Sequence, residues 1–252
     1  MIRTFLIGLA GALWLAAPAS AKAQEPVDLA LVLAVDSSGS VHEHEFILQM
    51  RGLAKAFRSP AVLKAIKSVA PRGVAVNLVQ WSSVDQQGQA FGWVVVRDEA
   101  SAERVASLIE QTPRLVEDGA TAISALLDYA TVLVMGVEAH RRVIDVSGDG
   151  RDNQEVGGGD LAGRLRAVAA GITVNALAIL NEAPYLEVYY QSEVIGGENA
   201  FVLRAQDYDH FATAIHIKLI KEISNAPISD RRGKAPVYAR RSAGRSASED
   251  PG

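Results

Sequence analysis

Leu29-Ala30-Leu31-Val32-Leu33-Ala34-Val35 runs without a polar residue into Asp36-Ser37-Ser38-Gly39-Ser40, and this junction decides the fold. Seven consecutive apolar residues match the length of a strand. Because they do not alternate with polar ones, the strand is expected to be buried on both faces, as in a parallel sheet covered by helices. The run stops at a carboxylate, and the next four residues are those of a turn. One carboxylate and two hydroxyls at alternate positions can converge on a point, and Gly39 lets the backbone bend there. All-oxygen donors suit a hard cation such as Mg²⁺ or Mn²⁺. The same pentapeptide reads equally well as a strand-to-helix turn with a serine cap.

On the C-terminal side of this junction, strand and helix patterns alternate. Apolar residues at helical spacing (Phe46, Ile47, Met50, Leu53, Ala54, Phe57) predict a helix across Glu43 to Lys67, broken near Ser59-Pro60. Strands are expected at Gly73 to Trp81 and at Ala90 to Val96. The second should run antiparallel, since the connection is too short for a helical crossover. Helices follow at Ser101 to Gln111 and Ala122 to Met135, then a strand at Arg141 to Val146 that leads into Ser147-Gly148-Asp149-Gly150. The remaining elements are a helix at Asp160 to Ala170, a strand at Thr173 to Ile179, a short helix at Tyr185 to Val194 and a strand at Ala200 to Leu203. Asp207 should cap a final helix whose Phe211, Ile215, Leu219 and Ile223 line one face. No repeat interrupts the order. The expected architecture is a doubly wound α/β domain over 27–224, with a mostly parallel sheet and helices on both faces. Ligands of such sheets bind beyond the carboxyl ends of the strands, where the strand order reverses.

The flanking segments read differently. Arg3 precedes an apolar stretch from Phe5 to Ala17, and Ala19-Ser20-Ala21 and Ala21-Lys22-Ala23 both offer an A-x-A cleavage pattern. Residues 1–21 are expected to be a secretory signal peptide, since the run is too short to span a bilayer. The mature chain would then be periplasmic or secreted. The sequence has no cysteine, so a lipid anchor on that residue, a thiolate metal site, a thiol nucleophile and a disulfide framework are all excluded. Residues 225–252 combine Arg231, Arg232, Lys234, Arg240, Arg241 and Arg245 with Pro, Gly, Ser and Ala, and they are expected to be a disordered basic tail. A net charge of −4 over the whole chain argues against a nucleic-acid partner, which would need a basic face.

Two further segments bear on the turn at Asp36. Glu117-Asp118-Gly119-Ala120-Thr121 places a threonine in a glycine-containing loop just before a helix. Asp149 follows a second buried strand. With these three segments in this order, the sequence resembles the von Willebrand factor type A (VWA) domain family over roughly Val27 to Ser224. The resemblance implies a metal-ion-dependent adhesion site in which Asp36, Ser38, Ser40, Thr121 and Asp149 hold Mg²⁺, or Mn²⁺ or Ca²⁺. It also implies a protein partner that supplies a Glu or Asp carboxylate. Gly148 departs from the family pattern, which has Thr or Ser before the last aspartate. Asp145 and Asp152 lie near enough to compete for that role, but Asp145 should be hydrogen-bonded within its strand or turned to an edge, and Asp152 should be a solvated loop residue.

Other patterns fail on their own terms. Gly148-Asp149-Gly150-Arg151-Asp152-Asn153 ends in Asn where a dinucleotide fingerprint needs Gly. In His42-Glu43-His44-Glu45 the histidines are two apart, whereas a zincin helix needs four; helical spacing would point them to different faces, so a solvated first turn is expected. Ser38 stands where a haloacid-dehalogenase-type site needs a second Asp. Two alternatives remain: a metal-dependent hydrolase, which would require His42, His44, Glu117 or Asp118 as a general base, and a metal-free structural module.

Overall fold

A computed structural model describes residues 26–68, 71–154, 159–181 and 183–224. The expected signal peptide and basic tail lie outside the described residues. In chain order the elements are β1 (Val27–Asp36), α1 (Glu43–Phe57), α2 (Pro60–Ser68), β2 (Val74–Trp81), β3 (Gln87–Val96), α3 (Glu99–Gln111) and α4 (Ile123–Met135). They continue with β4 (Ala139–Gly148), α5 (Gly159–Ala169), β5 (Thr173–Ile179), α6 (Leu186–Tyr189), a π-helical turn (Tyr190–Val194), β6 (Val202–Ala205) and α7 (Tyr208–Ser224).

The sheet has the order β3-β2-β1-β4-β5-β6, with only β3 antiparallel to its neighbour. Leu29, Leu31, Leu33 and Val35 of β1 face the side covered by α1, α2, α3 and α7, while Ala30, Val32 and Ala34 face α4, α5 and the π-turn. Both faces of β1 are therefore core, which explains its unbroken apolar run. The strand order reverses between β1 and β4, where Val35 pairs with Ser147. This puts Asp36 and Asp149 side by side at the carboxyl edge of the sheet, at the topological switch point.

Local chemistry accounts for most boundaries. Ser59 accepts from the Val62 N–H and restarts the helix at Pro60, the expected break. Asp207 accepts from the His210 N–H and caps α7, whose Phe211, Ile215, Leu219 and Ile223 are all fully buried. The last strand begins at Val202, two residues later than Ala200, because the Phe201 N–H is taken by the Asn175 side chain before the ladder with β5 begins. Among the described residues, no helix is long and apolar enough to cross a membrane.

Candidate functional site

Asp36 ends β1 with its side chain fully buried. Its Oδ1 accepts from the Ser38 N–H at 2.9 Å, while Oδ2, also buried, has no hydrogen-bond partner among the described residues. Ser40 Oγ lies 3.3 Å from Ser38 Oγ and donates to Asp149 Oδ1 at 2.8 Å. The other Asp149 oxygen accepts from the Tyr208 hydroxyl at 3.0 Å. Thr121 is placed against the same turn. Its N–H donates to Asn153 Oδ1, its carbonyl accepts from the Asn153 N–H, and its Oγ1 would lie 3.2 Å from a Cβ on Gly150. All five residues proposed from sequence therefore meet at one edge of the sheet.

The loops carrying them are braced on one another. The Gly39 N–H donates to the Gly119 carbonyl at 3.0 Å, and Gly119 takes a φ of +94°, which suits a residue without Cβ. The Ala120 N–H is held by Ser83 Oγ, and Ser82 Oγ donates to the Asp118 carbonyl. Behind the first loop lies Arg114. Its guanidinium donates to the carbonyls of Ser37, Ser38 and Val41 at 2.9 to 3.2 Å and to Ser37 Oγ. One cation thus satisfies three turn carbonyls that have no place in the sheet ladder.

Electrostatically, the site holds two close carboxylates without a compensating cation: no ion pair reaches Asp36 or Asp149 among the described residues. Burial first, and then the charge of Asp149, push the Asp36 carboxyl up to about 7. Burial also raises Asp149, against the hydrogen bonds from Ser40 and Tyr208 that favour its ionised form. The Tyr208 phenol is raised by burial and by the neighbouring acids, so it stays protonated and donates. A buried oxygen with no donor, beside a second carboxylate and a row of hydroxyls, fits a hard divalent cation. Among the described residues, no three His, Cys, Asp or Glu side chains are grouped to hold a metal, so any ion here would depend on neutral hydroxyls as well as carboxylates.

The departure at Gly148 has a steric cause. A Cβ there would stand 2.7 Å from the Tyr190 hydroxyl, 2.8 Å from Asp36 Oδ2 and 3.3 Å from Trp81 Cζ2. Tyr190, donating to the Gly150 carbonyl at 3.1 Å, fills the space that a Thr or Ser side chain would occupy.

Four expectations from the sequence are corrected. Asp152 is not solvated but half-buried: it accepts from the Ser124 N–H and the Gln154 N–H, and so caps α4, whose own cap position is Ala122. Glu45 is buried rather than part of a solvated turn. Its carboxylate accepts from the His42 N–H and from Asn181 Nδ2, closing the start of α1 beside the site. His42 precedes the helix, so helical spacing does not separate the histidines, and the two exposed rings lie nearly parallel with centroids 6.1 Å apart. Asp145 is neither at an edge nor hydrogen-bonded within its strand, since β4 lies between β1 and β5. It is ion-paired with Lys218 of α7, which also bonds Glu222 at 2.6 Å; all three are buried. His42, His44, Glu117 and Asp118, the candidate bases, are exposed, and no hydrogen bond joins them to Asp36 or Asp149. Tyr208, Arg114 and Tyr190 were not singled out from sequence.

A family model described as a protein of unknown function, DUF1194, matches residues 26–227. No curated protein matches the sequence. Among solved structures, proximal thread matrix protein 1 from the mussel byssus is similar at 15% identity and a TM-score of 0.60, over 79% of this chain and 48% of that one. A further structure of it, described as having a zinc-occupied MIDAS motif, aligns with a TM-score of 0.56 at 15% identity, over 79% and 48% of the two chains. A von Willebrand factor type A protein from Catenulispora acidiphila aligns at 14% identity and a TM-score of 0.53, over 79% and 43%. The fold is VWA-like, and the chain spans about half the length, or less, of these proteins.

Proposed function

The chain belongs to the DUF1194 family, and from that premise and the geometry above we propose that it is an exported VWA-type domain that binds a divalent cation and docks an acidic side chain of a partner protein. Asp36, Ser38, Ser40, Thr121 and Asp149 would hold the ion, with Mg²⁺ the best match to their oxygens and Mn²⁺ or Ca²⁺ as alternatives. The observation that carries the reading is Asp36 Oδ2, a buried carboxylate oxygen without a donor, facing a second carboxylate without a countercharge. When bound, the ion supplies a positive charge that attracts an anionic oxygen. The chain's own residues do the rest. Arg114 fixes the turn, Tyr208 and Ser40 aim Asp149, and the three neutral hydroxyls add donors without adding negative charge that would repel an acidic partner. The zinc-occupied MIDAS motif named for the byssus protein supports the choice of a metal-dependent site.

Export rests on Arg3, the apolar stretch and the A-x-A patterns of the first 23 residues, and it places the domain in the periplasm or outside the cell. The test is affinity capture from periplasmic extract with Mg²⁺. A partner should be retained by wild type, released by EDTA and absent with Asp36→Ala, and replacing one Asp or Glu of that partner should abolish binding. Capture that survives both EDTA and Asp36→Ala would refute the docking role.

A further inference from the structure

The helical ledge next to the site carries side chains that the fold does not use. Tyr185 and Val188 are 77% and 68% exposed, although both are large and apolar. The Val188 and Tyr189 N–H groups both point to the Tyr185 carbonyl, so Tyr185, Val188 and Tyr189 share one turn, and residues three and four apart lie on one face. Over the Tyr189 ring, at 5.0 Å from its centroid, sits the exposed guanidinium of Arg151, which forms no ion pair with a described residue. Arg151 is two residues beyond Asp149, and the Tyr189 hydroxyl accepts from the Asp152 N–H. The ledge is therefore tied directly to the loop that carries the last candidate ligand.

The geometry points to this ledge as the second half of the docking surface, and the inference rests on the metal-site reading above. The occupant is an acidic peptide segment of the partner. One carboxylate enters the site, a neighbouring aromatic or aliphatic side chain covers Tyr185 and Val188, and a second acidic group pairs with Arg151. Charge selects this occupant, because a cation bound at the site and the exposed Arg151, two residues beyond Asp149, would both attract an anionic segment. The apolar neighbour provides discrimination, since carboxylates alone are common on protein surfaces. A buried aliphatic or aromatic contact at the centre of an interface changes affinity by about tenfold or more.

The test uses the full chain, immobilised with Mg²⁺, to pan a phage library of random 12-residue peptides eluted with EDTA. Enriched peptides should carry Asp or Glu with an aromatic or aliphatic residue at a fixed offset. A synthetic peptide of that sequence should bind Tyr185→Ser/Val188→Ser about tenfold more weakly. Arg151→Gln should weaken the same peptide, and less so once its second acid is replaced. The double variant should keep the full Mg²⁺-induced rise in melting temperature, which separates loss of the ledge from loss of the metal site. Three outcomes would overturn the ledge: no enrichment, acidic peptides with no apolar preference, or equal binding to wild type and the double variant. Absence of the Mg²⁺ shift in wild type would instead overturn the metal reading beneath it.

Discussion

A Cβ placed on Gly148 would stand 2.8 Å from Oδ2 of Asp36, the one oxygen of that buried carboxylate that has no donor. The glycine therefore keeps open the space beside the candidate site while Tyr190 and Trp81 close the remainder. Placing at this position the serine that the VWA pattern has there, Gly148→Ser, is expected to destabilise the fold by about 1–3 kcal/mol through overpacking. Equilibrium urea unfolding measures this. Adding Tyr190→Ala, which removes the hydroxyl 2.7 Å from the new Cβ, should not be additive with Gly148→Ser, because both changes act on one space.

Arg114 acts on the Asp-x-Ser-x-Ser turn from beneath. Arg114→Lys keeps the charge but cannot span the carbonyls of Ser37, Ser38 and Val41 together. Loss of such outer support typically lowers metal affinity roughly 10- to 100-fold, and Mg²⁺ titration calorimetry on the variant should show a loss in that range.

The acid pair at the site also sets a pH dependence. Without metal, the folded state holds a proton on Asp36 up to about 7, whereas the unfolded chain loses it near the ordinary 3.8. The folded state therefore binds more protons across this interval, and stability falls as pH rises from about 4 to 7. Asp36→Asn should flatten that slope in EDTA. Saturating Mg²⁺ should reverse it in wild type, because the ion replaces the proton. Melting curves at half-unit pH steps would show whether the slopes differ.

A second buried charge group stabilises the opposite part of α7. Lys218 is fully buried between Asp145 and Glu222, and burial with the charge of Asp145 pushes Glu222 up to about 8. Lys218→Met leaves two acids uncompensated in the core and should cost about 3–5 kcal/mol at pH 7. The loss should be smaller at pH 5, because acids left without Lys218 must hold protons to stay buried, and taking up those protons on folding costs less as the pH nears the ordinary carboxylate range. A variant equally unstable at both pH values would contradict this arrangement.

What local sequence reveals and what it hides divide along range. Features written in neighbouring residues were legible: the β1 run and its turn, the break at Ser59-Pro60, the Asp207 cap and the stripe from Phe211 to Ile223. Features that need a partner far along the chain were only half visible. An aspartate inside the β4 apolar run signals that some donor must meet it, but nothing local identifies Lys218, 73 positions on, as that donor. Arg114 reads as an ordinary loop cation, and Tyr208 as an ordinary first-turn aromatic, until the sheet order brings them to Ser37 and Asp149. The solvated reading of Asp152 failed for the same reason. It caps α4 from another loop, at a helix start that has no capping residue of its own.

The proposed cation binding is tested most directly by the melting temperature of the full chain in EDTA and then in excess Mg²⁺, for wild type and Asp36→Ala side by side. A ligand that binds only the folded state at 100 times its dissociation constant adds about 2.7 kcal/mol, enough for a rise of several degrees. That rise is expected in wild type and not in Asp36→Ala. No rise in wild type, or an equal rise in the variant, would contradict the proposed cation binding.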